Sequence, residues 1–145
     1  KGMTTKWLYE DSEYKLLPEL DHKDVYGFVY LITNLITNQK YIGKKWFWRT
    51  KTLPITKTRK RRKKTLVESD WKSYYGSNDR LKNDVITYGE ESFKREILHL
   101  CKSKGDCSYM ELVEQVNREV LLTDEYYNGI IACKIGGMHV KNLCK

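Results

Sequence analysis

The sequence predicts an α+β fold within the broad α/β class: a small central antiparallel sheet of about three strands, flanked by helices. Three observations carry that expectation. Phe28-Val29-Tyr30-Leu31-Ile32 is a β-branched and aromatic run that reads as a buried strand, and Lys40-Tyr41-Ile42-Gly43 follows it after a short polar gap. Phe93-Lys94-Arg95-Glu96-Ile97-Leu98 mixes apolar and charged residues in the alternation of a strand with one wet face. Two stretches between and after these runs have helical spacing.

Taken in order, residues 1–24 form an N-terminal segment expected to contact DNA or a second subunit. Residues 25–145 form one domain, with a basic insertion at about 46–70. Thr37-Asn38-Gln39 supplies turn-formers between the first two strands, which together predict an antiparallel hairpin. From Lys44 to about Asp70 no apolar period holds and Pro54 interrupts, so the segment reads as an excursion: a helix start followed by a ribbon or loop. Ser77-Asn78-Asp79 signals a helix N-terminus; Leu81, Val85 and Tyr88 fall at helical spacing, and Gly89 closes the helix. Ser108-Tyr109-Met110-Glu111 opens a second helix, with Tyr109, Leu112, Val113, Val116 and Val120 along one side. The apolar end, Tyr126 to Ile135, is expected to pack back on the sheet.

Composition narrows the function. A chain of 145 residues with 40% hydrophobic content suits one packed core, and it has no apolar run long enough to span a membrane. The expected location is intracellular: the cytoplasm of a bacterial host, if the gene belongs to a phage. Cys101, Cys107, Cys133 and Cys144 form no C-x-x-C pair and no zinc-finger spacing. The formal charge is +8, and the run 57–64 (Lys57, Thr58, Arg59, Lys60, Arg61, Arg62, Lys63, Lys64) concentrates it. Such a block cannot be core and favours a polyanion or open water. With Lys44 and Lys45 it forms the candidate nucleic-acid contact. Trp46, Phe47, Trp48 and Trp71 flank it, either stacking on bases or packing in the core.

Tyr30 ends a G-x-x-Y run from Gly27, and Tyr41-Ile42-Gly43 follows eleven residues later. Tyr88-Gly89 precedes the third strand, an acidic helix comes next, and Tyr126-Tyr127-Asn128 supplies a late asparagine. On these residues the chain, from about Val25 to Ile135, resembles the GIY-YIG nuclease family and its type of fold. Its first motif is degenerate, Phe28-Val29-Tyr30, and its second is intact. The run from Asp70 to Ser77 resembles the phage-encoded branch, of the endonuclease II type found in T-even phages. The resemblance implies a phosphodiester hydrolase acting on double-stranded DNA, with Mg²⁺ (Mn²⁺ able to substitute) and a dimeric or tetrameric assembly. A free-standing phage or restriction-like nuclease leads. A homing-endonuclease catalytic module and a DNA-binding protein that lost catalysis are the alternatives.

The chemistry is coherent with those residues. Phosphodiester hydrolysis needs an activated water, a cation at the non-bridging oxygens and help for the leaving oxygen. A Mg²⁺ site beside substrate typically uses one or two carboxylates, with phosphate and water as the other ligands. The resemblance gives Tyr30 the task of base and Tyr41 that of supporting it, with Gly43 and Asn128 in supporting places. A tyrosine has a pKa near 10, so Tyr30 can serve only if cations lower it. Tyr109, Glu111 and Gln115 match the phage pattern Tyr-x-Glu-x-x-x-Gln, which favours Glu111 as metal ligand, with Glu114 second. Glu111 also fits a capping box with Ser108. The family arginine, expected on a helix after the YIG glycine, is replaced by Lys51, with Arg49 nearby. The family histidine is missing; Lys72 is the first substitute and Tyr74 the second.

Overall fold

The computed structural model describes residues 5–58, 61, 63–131, 137, 140 and 143. Arg59, Lys60 and Arg62 of the basic block, and Cys133 and Cys144, lie outside the described residues. Along the chain run strands β1 (Trp7–Tyr9), β2 (Ser12–Glu13), β3 (Gly27–Asn34), β4 (Lys40–Trp46), β5 (Trp48–Leu53) and β6 (Lys63–Glu68). Helix α1 (Asp79–Tyr88), strand β7 (Phe93–Cys101) and helix α2 (Lys104–Asn117) follow.

Strand β3 organises the sheet because every one of its residues is buried. A β-branched and aromatic run buried on both faces belongs in a sheet interior, and β3 has antiparallel neighbours on each side, β4 and β7. Those three are the strands the sequence predicts. Among the described residues the sheet has five, in the order β2-β1-β7-β3-β4. The extra pair comes from the N-terminal segment, where β1 runs parallel to β7 with Trp7 opposite Arg95. A three-residue strand carries no readable periodicity; Trp7 holds it, buried against Phe28 and Tyr30 with ring centroids 4.9 and 5.3 Å away. Residues of the 1–24 segment therefore contribute to the same core as the rest.

The two faces of β3 feed two clusters. Phe28, Tyr30 and Ile32 join Trp7, Phe47, Trp71 and Leu81 on one face. Val29 and Leu31 join Ile42, Cys101, Cys107 and Val120 under α2 on the other. The β3–β7 register shifts between Val29, opposite His99, and Tyr30, opposite Ile97. That bulge adds local twist beside Tyr30.

Helix α1 starts where the sequence places it: the Asn78 side chain accepts from Leu81 N at 3.0 Å, and Gly89 closes the helix at φ 90°. Helix α2 differs from expectation. It begins at Lys104, with the Ser103 hydroxyl accepting from Asp106 N at 3.1 Å. Ser108 is thus inside the helix, and the Ser108–Glu111 capping box is not its start. Tyr109 and Val116 are exposed, whereas Cys107 and Gln115 are buried. The face is set by contact with β3, β4 and β7 rather than by the apolar stripe.

The basic insertion is a second correction. Among its described residues there is no helix; β5 and β6 pair antiparallel into a two-stranded ribbon, with Arg49 opposite Val67 and Lys51 opposite Thr65. Thr50, Thr52, Thr65 and Val67 favour extended backbone. Phe47, fully buried, roots the ribbon in the core, and its carbonyl accepts from Ser69 N at 2.8 Å. Among the described residues no helix is long and apolar enough to cross a membrane.

Replacing Trp7 with Ala tests whether the N-terminal strand belongs to the cooperative core. The expected loss is about 3–5 kcal/mol in urea denaturation. A loss under about 1 kcal/mol would mean that the β1 segment docks without supporting the fold.

Candidate active site

The site forms at the outer edge of β4. Residues directly opposite in an antiparallel pair share a face, and Tyr30 pairs with Gly43 and Phe28 with Lys45. Tyr30 and Lys45 therefore stand on one face of the sheet. Lys44 stands on the other, where it meets Glu111 from α2: Nζ lies 3.0 Å from Oε1. Tyr30, Tyr41, Lys44, Lys45, Trp46, Ser77 and Glu111 line one cleft of about 250 Å³.

Gly43 makes the hairpin motif possible. A Cβ there would collide with the Tyr30 hydroxyl and would stand 2.6 Å from Tyr30 Cζ. Tyr30 is fully buried among aromatic neighbours, with the Tyr41 ring at 6.2 Å and the Tyr74 ring at 5.9 Å. Burial holds its hydroxyl well above the ordinary tyrosine pKa, and Tyr74, Tyr41 and Glu111 push the same way. Tyr41 is half-buried and raised chiefly by burial, against a hydrogen bond with Ser77 and the charge of Lys44, both of which lower it. Its hydroxyl lies 3.3 Å from Ser77 Oγ.

The two candidate glutamates have different surroundings. Both face the sheet, not the polar side of α2. Glu111 opens into the cleft, while Glu114 turns toward β7, with Oε2 2.7 Å from His99 Nε2 and Oε1 2.8 Å from Arg118 Nε. Burial raises the Glu114 pKa, but those two partners outweigh it and hold the carboxyl below its ordinary value. Among the described residues no group of three or more His, Cys, Asp or Glu could hold a metal. A cation would have Glu111 as its protein carboxylate. The ammonium of Lys44 at Glu111 Oε1 already marks that oxygen as a cation partner.

Asn128 serves the backbone of β4. Its Oδ1 accepts from Ile42 N at 3.0 Å and its Nδ2 donates to Ile42 O at 2.8 Å. The amide thus acts as a neighbouring strand would, between Tyr41 and Gly43. Gln115 Nε2 also reaches Ile42 O, at 3.4 Å.

Other expected residues lie elsewhere. Arg49 and Lys51 are exposed on β5 rather than on a helix. Arg49 lines a neighbouring cleft with Tyr26, Lys104 and Asp70. Lys72 is exposed, 3.8 Å from Glu68, and borders a cavity around Trp7 and Tyr14. Tyr74, its alternative, is the one that reaches the tyrosines. Lys57, Arg61, Lys63 and Lys64 are exposed on or beside the ribbon. Of the flanking aromatics, Phe47 and Trp71 are core, while Trp46 borders the cleft. Ser77 is the one cleft-lining residue with no sequence signal beyond its place before a helix cap.

Residues 7–131 match the family described as "Putative endonuclease segE, GIY-YIG domain". Two relatives in Enterobacteria phage T4 are similar. "Putative endonuclease segE" is 32% identical over 104 residues, covering 72% of this chain and 40% of the relative. "Putative endonuclease segD" is 31% identical over 103 residues, covering 71% of this chain and 37% of the relative. The chain thus spans about two fifths of the length of these curated relatives. No solved structure matches.

The Gly43–Tyr30 contact has a direct test. Gly43→Ala should destabilise the protein by about 1–3 kcal/mol, as overpacking does. Tyr30→Phe removes one of the three colliding atoms, leaving Tyr30 Cζ and Tyr41 Cε2, so the double variant should lose less than the sum of the single variants, by about 0.5 kcal/mol or more. Strict additivity in urea melts would show that Gly43 does not serve to make room for the Tyr30 hydroxyl.

Proposed function

The chain belongs to the GIY-YIG family, and we propose that it is a metal-dependent endonuclease hydrolysing phosphodiester bonds of double-stranded DNA. The observation that carries this reading is the convergence of Tyr30, Tyr41, Lys44, Lys45 and Glu111 on one cleft. Convergence of a carboxylate, cations and hydroxyls from three elements suits phosphoryl chemistry.

Glu111 is the residue that would hold Mg²⁺ or Mn²⁺, and the ion would supply charge at the non-bridging phosphate oxygens and a nearby activated water. Tyr30 is assigned the proton-accepting role, which calls for positive charge in the cleft to oppose the burial that raises its hydroxyl; Tyr41 and Ser77 order the hydroxyls beside it. Asn128 keeps the YIG strand in place through Ile42. The ribbon, with Lys51, Lys57, Arg61, Lys63 and Lys64, neutralises backbone phosphates flanking the cleft; Arg59, Lys60 and Arg62 belong to the same block. Phosphate contacts of that kind set register and affinity without reading sequence. Cutting both strands favours two copies with paired sites, a dimer or a tetramer. A second reading, a homing-type catalytic module, is favoured by one observation: about three fifths of each T4 relative lies outside the match.

Supercoiled plasmid incubated with the protein should be cut with Mg²⁺ and left intact in excess EDTA. Glu111→Ala should abolish cutting while duplex binding stays within about threefold, whereas Glu114→Ala should cut and lose thermal stability instead. Cutting in EDTA would remove the metal from the mechanism. Cutting by Glu111→Ala would move the metal ligand elsewhere.

The tyrosine assignment has its own pH signature. A base whose pKa lies above the assay range is mostly protonated, so its active fraction grows tenfold per pH unit. The slope of log kcat/KM against pH should therefore be about +1 between pH 7 and 9, and Tyr30→Phe should lose about a hundredfold in rate. A flat profile together with full activity of Tyr30→Phe would leave Tyr30 as a packing residue.

A further inference from the structure

We propose that Lys45, rather than Arg49 or Lys51, is the catalytic cation that touches the scissile phosphate on the tyrosine side of the cleft. This rests on the endonuclease reading above and names a residue for it. Any displacement at phosphorus builds charge on the non-bridging oxygens, so a fixed positive group beside the reacting hydroxyls is required. Glu111 and whatever cation it holds act from the α2 face of the sheet. On the opposite face, the described charged group among the cleft-lining residues is Lys45.

Several observations show that Lys45 is held for such a task. Its ammonium is 2.7 Å from Asp70 Oδ1 and 4.2 Å from the centroid of the Tyr74 ring. Tyr74 in turn packs edge-on to Tyr30, at 5.9 Å. A lysine stem is flexible and costs entropy to fix, and here an aromatic face and a carboxylate fix it. The two partners differ in exposure: the Lys45 side chain is 19% exposed and Asp70 is 71% exposed. Asp70 can swing into solvent, whereas the ammonium stays in the cleft with a donor released for a phosphate oxygen.

The ribbon cations lack this placement. Arg49 and Lys51 share one face of β5, are exposed, and line no part of the cleft that holds Tyr30 and Glu111. Lys44 lines the same cleft but stands on the opposite, α2 face of the sheet, where it pairs with Glu111. Lys45 thus takes up the charge that was sought eight residues beyond Gly43.

The test is single-turnover cleavage of plasmid or duplex DNA in Mg²⁺, with binding measured separately in Ca²⁺ or EDTA. Lys45→Met should lower the cleavage rate at saturating protein at least tenfold, with duplex affinity within about threefold of wild type. Lys45→Arg should recover most of the rate, because it restores charge at the same position. Arg49→Ser/Lys51→Ser should do the opposite, losing more in affinity than in the saturated rate. Thermal melts report folding, and Lys45→Gln replaces Lys45→Met if the latter melts early. A Lys45→Met or Lys45→Gln variant that folds and cuts at more than a tenth of the wild-type rate, or a loss confined to affinity, overturns the proposal. So does a rate loss that follows Arg49 and Lys51 instead. Failure of the wild-type protein to cut any DNA would refute the endonuclease reading itself, a result separable from all of these.

Discussion

The outer edge of β4 is the constraint on which the rest depends. An edge strand exposes a row of backbone donors and acceptors that must be satisfied or covered. Here Lys40 bonds to the backbone of Glu125 and Tyr127, and Ile42 bonds to the side-chain amide of Asn128. Each such bond contributes about 1 kcal/mol, but the cost of leaving either Ile42 group buried and unmade is larger. With those positions clamped, Tyr41 and Gly43 cannot slip in register, and Gly43 stays opposite Tyr30. The chain's late segment thereby fixes its early motif, across 86 residues of sequence.

That edge also lets two sheet faces share one cleft. Tyr30 and Lys45 approach from one face, and Lys44 with Glu111 from the other, so the site wraps around β4. Helix geometry then decides between the glutamates. Residues three apart on a helix are neighbours, offset by about 60° around the axis. Both face the sheet, but one lies over β4 and the other over β7. Glu114 meets His99 and Arg118, which satisfy it completely as a structural anion. Glu111 meets a lysine at the mouth of a cleft, where a second cation or a phosphate can compete.

Much of this was legible in the sequence, and the parts that were not share a physical cause. The hairpin was legible because strand β3 is rich in β-branched and aromatic residues and the turn is polar; α1 was legible because Asn78 caps it locally. Signals of that kind lie within a few residues of what they determine. The N-terminal strand depends on a parallel pairing with β7 almost ninety residues away, and its only trace was the aromatic set Trp7, Tyr9 and Tyr14. The cap of helix α2 was misplaced by five residues because Ser108-x-x-Glu111 imitates a cap as well as Ser103-x-x-Asp106 does. Arg95 reads as a wet-face residue by composition, yet it is buried between the rings of Trp7 and Tyr75, at 4.6 and 4.1 Å. Burial lowers its pKa to about 10, still charged at neutral pH. Its guanidinium donates to the carbonyls of Tyr74 and Thr5, an arrangement no periodicity could reveal. Likewise spacing could not place the family's arginine, because Arg49 and Lys51 lie on a ribbon strand and not on the expected helix.

The replacement of that helix by a ribbon reorganises where positive charge acts. In the cleft each lysine has a carboxylate partner, Lys44 with Glu111 and Lys45 with Asp70. Matched pairs of this sort contribute little net field at a distance, so the cleft alone would attract a polyanion weakly. The ribbon is the reverse: Lys51, Lys57, Arg61, Lys63 and Lys64 stand exposed on or beside its two strands. Charges so arranged attract phosphates over about a Debye length and lose that reach as salt rises. The separation has a mechanistic use under the proposed function. Affinity comes from the ribbon, which can grip any duplex, and the matched pairs remain closed until a phosphate enters and competes for a lysine. Binding and chemistry then respond to different residues and to different salt, because only the exposed set is screened.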